Sequence, residues 1–133
     1  MLTIEFTNEY VEGEPGPNFY WSGHPDDYLK LVVELHKLGS DINEKIFFRD
    51  LNYVRLINID NVEAKSSREG KILNKKIDRT ILIDINCTLW QEIMRVFLIL
   101  SFNQGHYYLD FDNLRLEEDG NFIVSSEPGK WIR

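Results

Sequence analysis

Cysteine is almost missing from this chain. Cys87 stands alone among 133 residues, so no intrachain disulfide can form and a reducing, cytoplasmic setting is the expectation. Basic residues are also scarce: 15 Lys and Arg face 22 Asp and Glu, a formal net charge of −7. Nucleic acid is therefore a poor match, because its binding rests on neutralising phosphates with Lys and Arg. The longest apolar run, "VFLIL" at 96–100, is too short to span a bilayer, and no membrane partner is expected. The opening "MLTIEFTNEY" lacks a positive n-region and a long apolar stretch, which argues against a signal peptide.

Chemical motifs are equally sparse. The chain contains no G-x-G-x-x-G, no Walker A sequence and no G-x-S-x-G elbow, so nucleotide binding and serine hydrolysis have no support. The D-x-D-x-D-G calcium loop is absent. The three histidines, His24, His36 and His106, form no H-x-x-x-H pair, and a zinc site normally takes three or four His, Cys or acidic ligands. No cofactor, resident metal or catalytic residue is expected. Ser22 in "WSGH" reads as a helix cap, and Cys87 as a small buried residue between a strand and a helix.

What is present describes a core. Hydrophobic residues make up 43% and aromatics 13% of a length that fits one domain, 1–133. "LTIEF" alternates as a strand, "EGEPGPN" is a turn, and "FYWSG" is a strand pairing back on the first. "HPDDYLKLVVELHKLG" is an amphipathic helix over about 25–38. Pro25 lies in its first turn and Tyr28, Leu31, Val32, Leu35 and Leu38 form its apolar stripe. "KIFFRDL" and "VRLINID" read as strands, residues 61–78 as a solvated Lys-rich connection, and "RTILIDIN" as a strand with Ile81, Ile83 and Ile85 on one face. A second helix begins at Thr88 with Gln91 completing a capping box and runs to about 103. "HYYLDFD" and "NFIVSSE" follow as strands. The order β-β-α-β-β-β-α-β-β implies an α+β fold: a largely antiparallel twisted sheet of five to seven strands, with both helices on one face.

The stretch "QGHYYLDFDN" concentrates the polar side chains that bear on function. Strand alternation sends Tyr107, Leu109 and Phe111 one way and His106, Tyr108, Asp110 and Asp112 the other. Asp110 and Asp112, about 6–7 Å apart on a strand, are within reach of one cation, with His106 too far along to join easily. A small hydrolase using His106, Asp110 and Asp112 is the enzymatic alternative. Residues 1–29 hold six acids and no Lys or Arg, and residues 105–129 hold six acids against Arg115 alone. Tyr10, Tyr20, Trp21, Tyr108 and Trp131 lie in or beside these segments. Aromatic anchors among carboxylates suit a protein-binding patch, steered by charge toward a basic surface. Trp21, His24, Tyr108, Asp110 and Asp112 are the candidate partner-binding residues. The apolar second helix offers a homodimer as a further possibility.

In "WSGHPDDYLKLVVEL", "GHYYLDFD" and "NFIVSSE" the chain resembles the small acidic α+β immunity proteins of bacterial polymorphic toxin systems. The resemblance implies a non-catalytic inhibitor that binds a cognate toxin domain and blocks or distorts its active site.

Overall fold

The computed structural model describes residues 1–40, 45–109 and 120–127. Strand β1 (Leu2–Thr7) turns back into β2 (Asn18–Ser22), antiparallel, with Thr3 opposite Ser22 and Thr7 opposite Asn18. This is the hairpin that the two alternating segments require. Helix α1 (Pro25–Leu35) follows, continued by a tighter helical turn over His36–Gly39. Its N-terminus is a reciprocal cap: His24 Nδ1 accepts from the Asp26 N–H at 3.1 Å, and Asp27 Oδ2 accepts from the His24 N–H at 3.0 Å. The cap is thus His24, two residues beyond Ser22, because Pro25 fixes the first helical position directly after it.

Strands β3 (Lys45–Phe47), β4 (Val54–Ile57), β5 (Asn61–Ser66), β6 (Lys71–Ile77) and β7 (Thr80–Ile85) lead to helix α2 (Cys87–Phe102). Strands β8 (His106–Tyr108) and β9 (Asn121–Ser125) complete the described chain. Asn86 caps α2, its Oδ1 accepting from the Leu89 N–H at 3.0 Å, so the helix begins earlier than Thr88. Cys87 is half-buried in the first turn, its Sγ 3.3 Å from Ser66 Oγ.

The fold is α+β, with two α-helices and nine strands in two mixed sheets among the described residues. One sheet has five strands in the order β4-β1-β2-β9-β8; the other has four, β3-β5-β7-β6. The Lys-rich stretch 61–78 is two strands rather than a solvated loop. Along β5, Val62, Ala64 and Ser66 point inward, while Glu63 and Lys65 form cross-strand ion pairs with Lys45 (3.5 Å) and Asp84 (3.7 Å). Small inward residues and long outward ones hide such a strand from composition alone.

Register across the five-stranded sheet fixes what each face carries. Leu56, Ile4, Trp21, Val124 and Tyr107 form one row, which faces the helices. Trp21 is therefore core, not surface: it is fully buried, stacked on Phe97 of α2 at 5.5 Å and edge-on to Phe48 at 5.3 Å. Its expected place in a partner-binding patch is overturned by its sharing a row with Ile4. Both helices pack on each other and on this inner face, in one core that also takes in Ile81, Ile83 and Ile85 of β7.

Two tyrosines make opposite use of burial. The Tyr28 hydroxyl, in the core, accepts from the Ser125 N–H at 3.1 Å and reaches the carbonyl oxygens of Ser125 at 2.7 Å and Trp21 at 3.1 Å. Burial holds its pKa well above the ordinary tyrosine range, against the lowering effect of the Ser125 hydrogen bond. The Tyr53 hydroxyl is buried with no hydrogen-bond partner among the described residues. Burial, then Glu34 and Asp27, pushes it up to about 12.

The same substitution should thus have opposite effects at the two positions. In urea unfolding at neutral pH, Tyr28→Phe lowers stability by about 1–3 kcal/mol, because it strands buried backbone groups. Tyr53→Phe is neutral or stabilising by up to about 1 kcal/mol, because it removes a hydroxyl that gains nothing from burial. Unfolded tyrosine titrates near pH 10, while folded Tyr53 keeps its proton to about 12. Between those values the unfolded chain binds fewer protons, so stability, intact below about pH 10, falls as pH rises, and Tyr53→Phe makes that fall shallower.

Candidate functional site

The outer face of the five-stranded sheet carries the rows Arg55–Thr3–Ser22–Ser125–His106 and Ile57–Glu5–Tyr20–Ile123–Tyr108. The loop between β1 and β2 folds over this face. Val11 and Glu14 exchange both backbone hydrogen bonds, at 3.0 and 2.9 Å, around Glu12 (φ 51°) and Gly13 (φ 81°). Positive φ at both central residues defines a type I′ hairpin turn. Val11 is buried against Tyr20 and Ile123, covering the middle of the face. Asn18, fully buried, fastens the loop: its Nδ2 donates to the carbonyls of Glu9 at 2.9 Å and Glu14 at 3.1 Å, and its Oδ1 accepts from Asn121 Nδ2 at 3.0 Å.

The turn delivers Glu12 to β8. Tyr108 donates its hydroxyl hydrogen to the Glu12 carbonyl at 3.1 Å. His106 Nδ1 lies 2.5 Å from Glu127 Oε1 and 3.7 Å from Glu12 Oε2, and its ring meets Tyr108 edge-on at 5.9 Å. The Glu12 side chain is only 10% exposed, against 36% for His106 and 32% for Glu127. Glu12 is thus an unusual occupant of a left-handed position that Asn or Gly fills without strain. Its backbone costs about 1 kcal/mol while its carboxylate is tucked beneath the turn. Burial, then Glu14 and Glu12, raises the Tyr108 pKa above its ordinary value.

One ligand atom from each of Glu12, His106 and Glu127 lies within 4.8 Å of the others. Such a set can offer three ligands to a divalent cation. As it stands, the short His106–Glu127 hydrogen bond ties β8 to the end of β9, with Glu12 of the loop beside it.

Of the residues singled out by sequence, Tyr108 lies on the outer face and is half-exposed, as alternation requires. His24 serves as the α1 cap, with a half-exposed side chain. Trp21 is in the core. Asp110 and Asp112 lie outside the described residues. Among the described residues His106 meets Glu12 and Glu127, two acids that spacing along "QGHYYLDFDN" does not reveal. Their signals were the "VEGE" turn and the pairing of His106 with Ser125, which sets Glu127 two residues on. Tyr107 shares the inner row but stays 37% exposed, because β8 is short and at the end of the sheet among the described strands.

Comparison with protein-family models, with curated proteins and with solved structures finds no match to any of them.

Replacing Glu12 by Asn separates turn geometry from carboxylate chemistry. The turn relaxes by about 1 kcal/mol, which offsets the loss of a pair with a partly exposed histidine worth about 0–1 kcal/mol. The melting temperature of Glu12→Asn should hold or rise, while His106 ring signals in NMR shift. A drop in melting temperature would show that the Glu12 carboxylate supports the fold.

Proposed function

We propose that the chain is a non-catalytic protein-binding domain, an immunity protein that neutralises a toxin domain through a basic surface on that partner. The observation that carries this reading is the grouping of half-exposed Tyr108 with Glu12, Glu14, Glu127 and the exposed Tyr10 around the folded-over loop. Rigid aromatic side chains give contact area at low entropic cost, and surrounding carboxylates steer a basic partner and reject an acidic one. The loop that presents them is held by buried Asn18, so the patch is preorganised. The chain-wide excess of acid over base acts in the same direction.

The test pairs the chain with candidate toxin domains from neighbouring reading frames. Binding is followed by interferometry, and protection by growth of cells expressing the toxin. Glu14→Lys with Glu127→Gln, which keeps an acceptor for His106, leaves the circular dichroism spectrum unchanged and slows association about tenfold at low salt, less at high salt. Unchanged association, or loss of binding through dissociation alone, would place the interface elsewhere. Absence of binding and protection by the wild-type chain would end the immunity reading.

A further inference from the structure

Helix α1 leaves an apolar strip uncovered. Leu29 and Val33, one turn apart, are 47% and 66% exposed on the side of the helix turned away from the buried Tyr28, Leu31 and Leu35. They border a groove of about 530 Å³ between α1 and Tyr53, whose other lining residues are Asp26, Lys30 and Glu34. One exposed apolar side chain is ordinary on a protein surface. Two on one stripe, at helical spacing beside a groove, make a strip that a partner helix can cover.

The charges beside the strip select the partner. Asp26, Lys30 and Glu34 recur every fourth residue, so they share one flank of the helix. Lys37, in the tighter turn that continues α1, stays on that flank, its Nζ 3.9 Å from Glu34 Oε2. The signs run minus, plus, minus, plus, and the row is neutral in a chain of net charge −7. Followed from the other end, the same row runs plus, minus, plus, minus. Two antiparallel helices related by a two-fold axis turn the same flank toward each other, so each charge meets its opposite on a second copy. With the axis between Leu31 and Val32, Leu29 meets Val33 of the other copy, Lys30 meets Glu34 and Asp26 meets Lys37. All three fall in register to within about 1.5 Å, the rise of one residue. Contacts within the chain are loose ones at the surface. Lys30 lies 5.5 Å from the centre of the Tyr53 ring, Asp26 lies 3.6 Å from His24, and Asp26, Lys30, Glu34 and Lys37 are all partly or fully exposed.

We propose that the chain forms an isologous dimer through α1, in which Leu29 and Val33 of a second copy close the strip. The contact is small for a specific interface, so the dimer is reversible and depends on concentration. It lies on α1, not on the more apolar α2, and shares no residue with the acidic and aromatic patch. The helices cover the inner face of the five-stranded sheet and the patch lies on its outer face, so pairing through α1 leaves both patches of the dimer open.

Sedimentation velocity of the full chain from about 10 μM to about 1 mM reads the association. The wild-type chain should pass reversibly from monomer to dimer, and Val33→Lys should remain monomeric. Lys30→Glu and Glu34→Lys each set like charges against one another across the two-fold axis, and each should weaken dimerisation about tenfold. Mixed in equal amounts, these two variants restore opposite charges at both crossings and should form a heterodimer about as strong as the wild-type dimer. An antiparallel α1 contact requires that rescue, and a variant that had lost its fold would not be rescued by mixing. Unchanged circular dichroism spectra verify the fold of each variant. A wild-type chain that stays monomeric at about 1 mM, a dimer that survives Val33→Lys, or a mixture no stronger than the separate variants overturns the contact.

Discussion

The Tyr28 hydroxyl is the point through which three distant parts of the chain are joined. It comes from the first turn of α1, touches the carbonyl of Trp21 at the end of β2, and bonds both backbone groups of Ser125 at the end of β9. One hydroxyl hydrogen serves two carbonyls, and the shorter distance assigns it to Ser125. This is costly to disturb because the group is fully buried, where an unpaired backbone polar group loses water without replacement. With that join in place, Trp21 and Val124 are held on the same side of the sheet, and the aromatic cluster of Trp21, Phe48, Phe97 and Phe122 packs beneath them.

The outer face follows from the same join. Setting β9 beside β2 in register puts Ile123 next to Tyr20 and creates the apolar spot onto which Val11 closes. The loop that carries Val11 brings Glu12 to His106, so the acidic and aromatic group depends on inner-face packing. A local rule is broken at the tip, where a glutamate occupies a left-handed turn position. Departures of this kind concentrate at sites kept for something other than stability.

Much of this was legible in the residues. The β1–β2 hairpin, the α1 stripe of Tyr28, Leu31, Leu35 and Leu38, and the inward Ile81, Ile83 and Ile85 all follow from periodicity, because each element buries one face. Two strands in the Lys-rich stretch were not legible: their inward positions include Ala64, Ser66 and a buried Asn74, which carry little apolar signal. The alternation of "NFYWS" sets Phe19 and Trp21 on one side and Asn18, Tyr20 and Ser22 on the other, but all five are buried, so the strand has no exposed side to mark which is inner. Register against Ile4 and Val124 decides it. The His106–Glu12–Glu127 group joins positions remote in sequence, so no local spacing encodes it. The outward direction of Tyr108 follows from alternation within β8.

The placement of β9 also governs the order in which the sheet can be built. The strand is inserted between β2 and β8, so residues 121–125 must leave the ribosome before the five-stranded sheet can be completed. The four-stranded sheet, confined to residues 45–85, and the helix after it can assemble earlier from nearer segments. Until then β2 presents an unpaired edge bearing Phe19, Tyr20 and Trp21. A nascent chain paused in that interval would display its most aromatic strand to its neighbours, which makes the speed of completing synthesis a determinant of the yield of native protein.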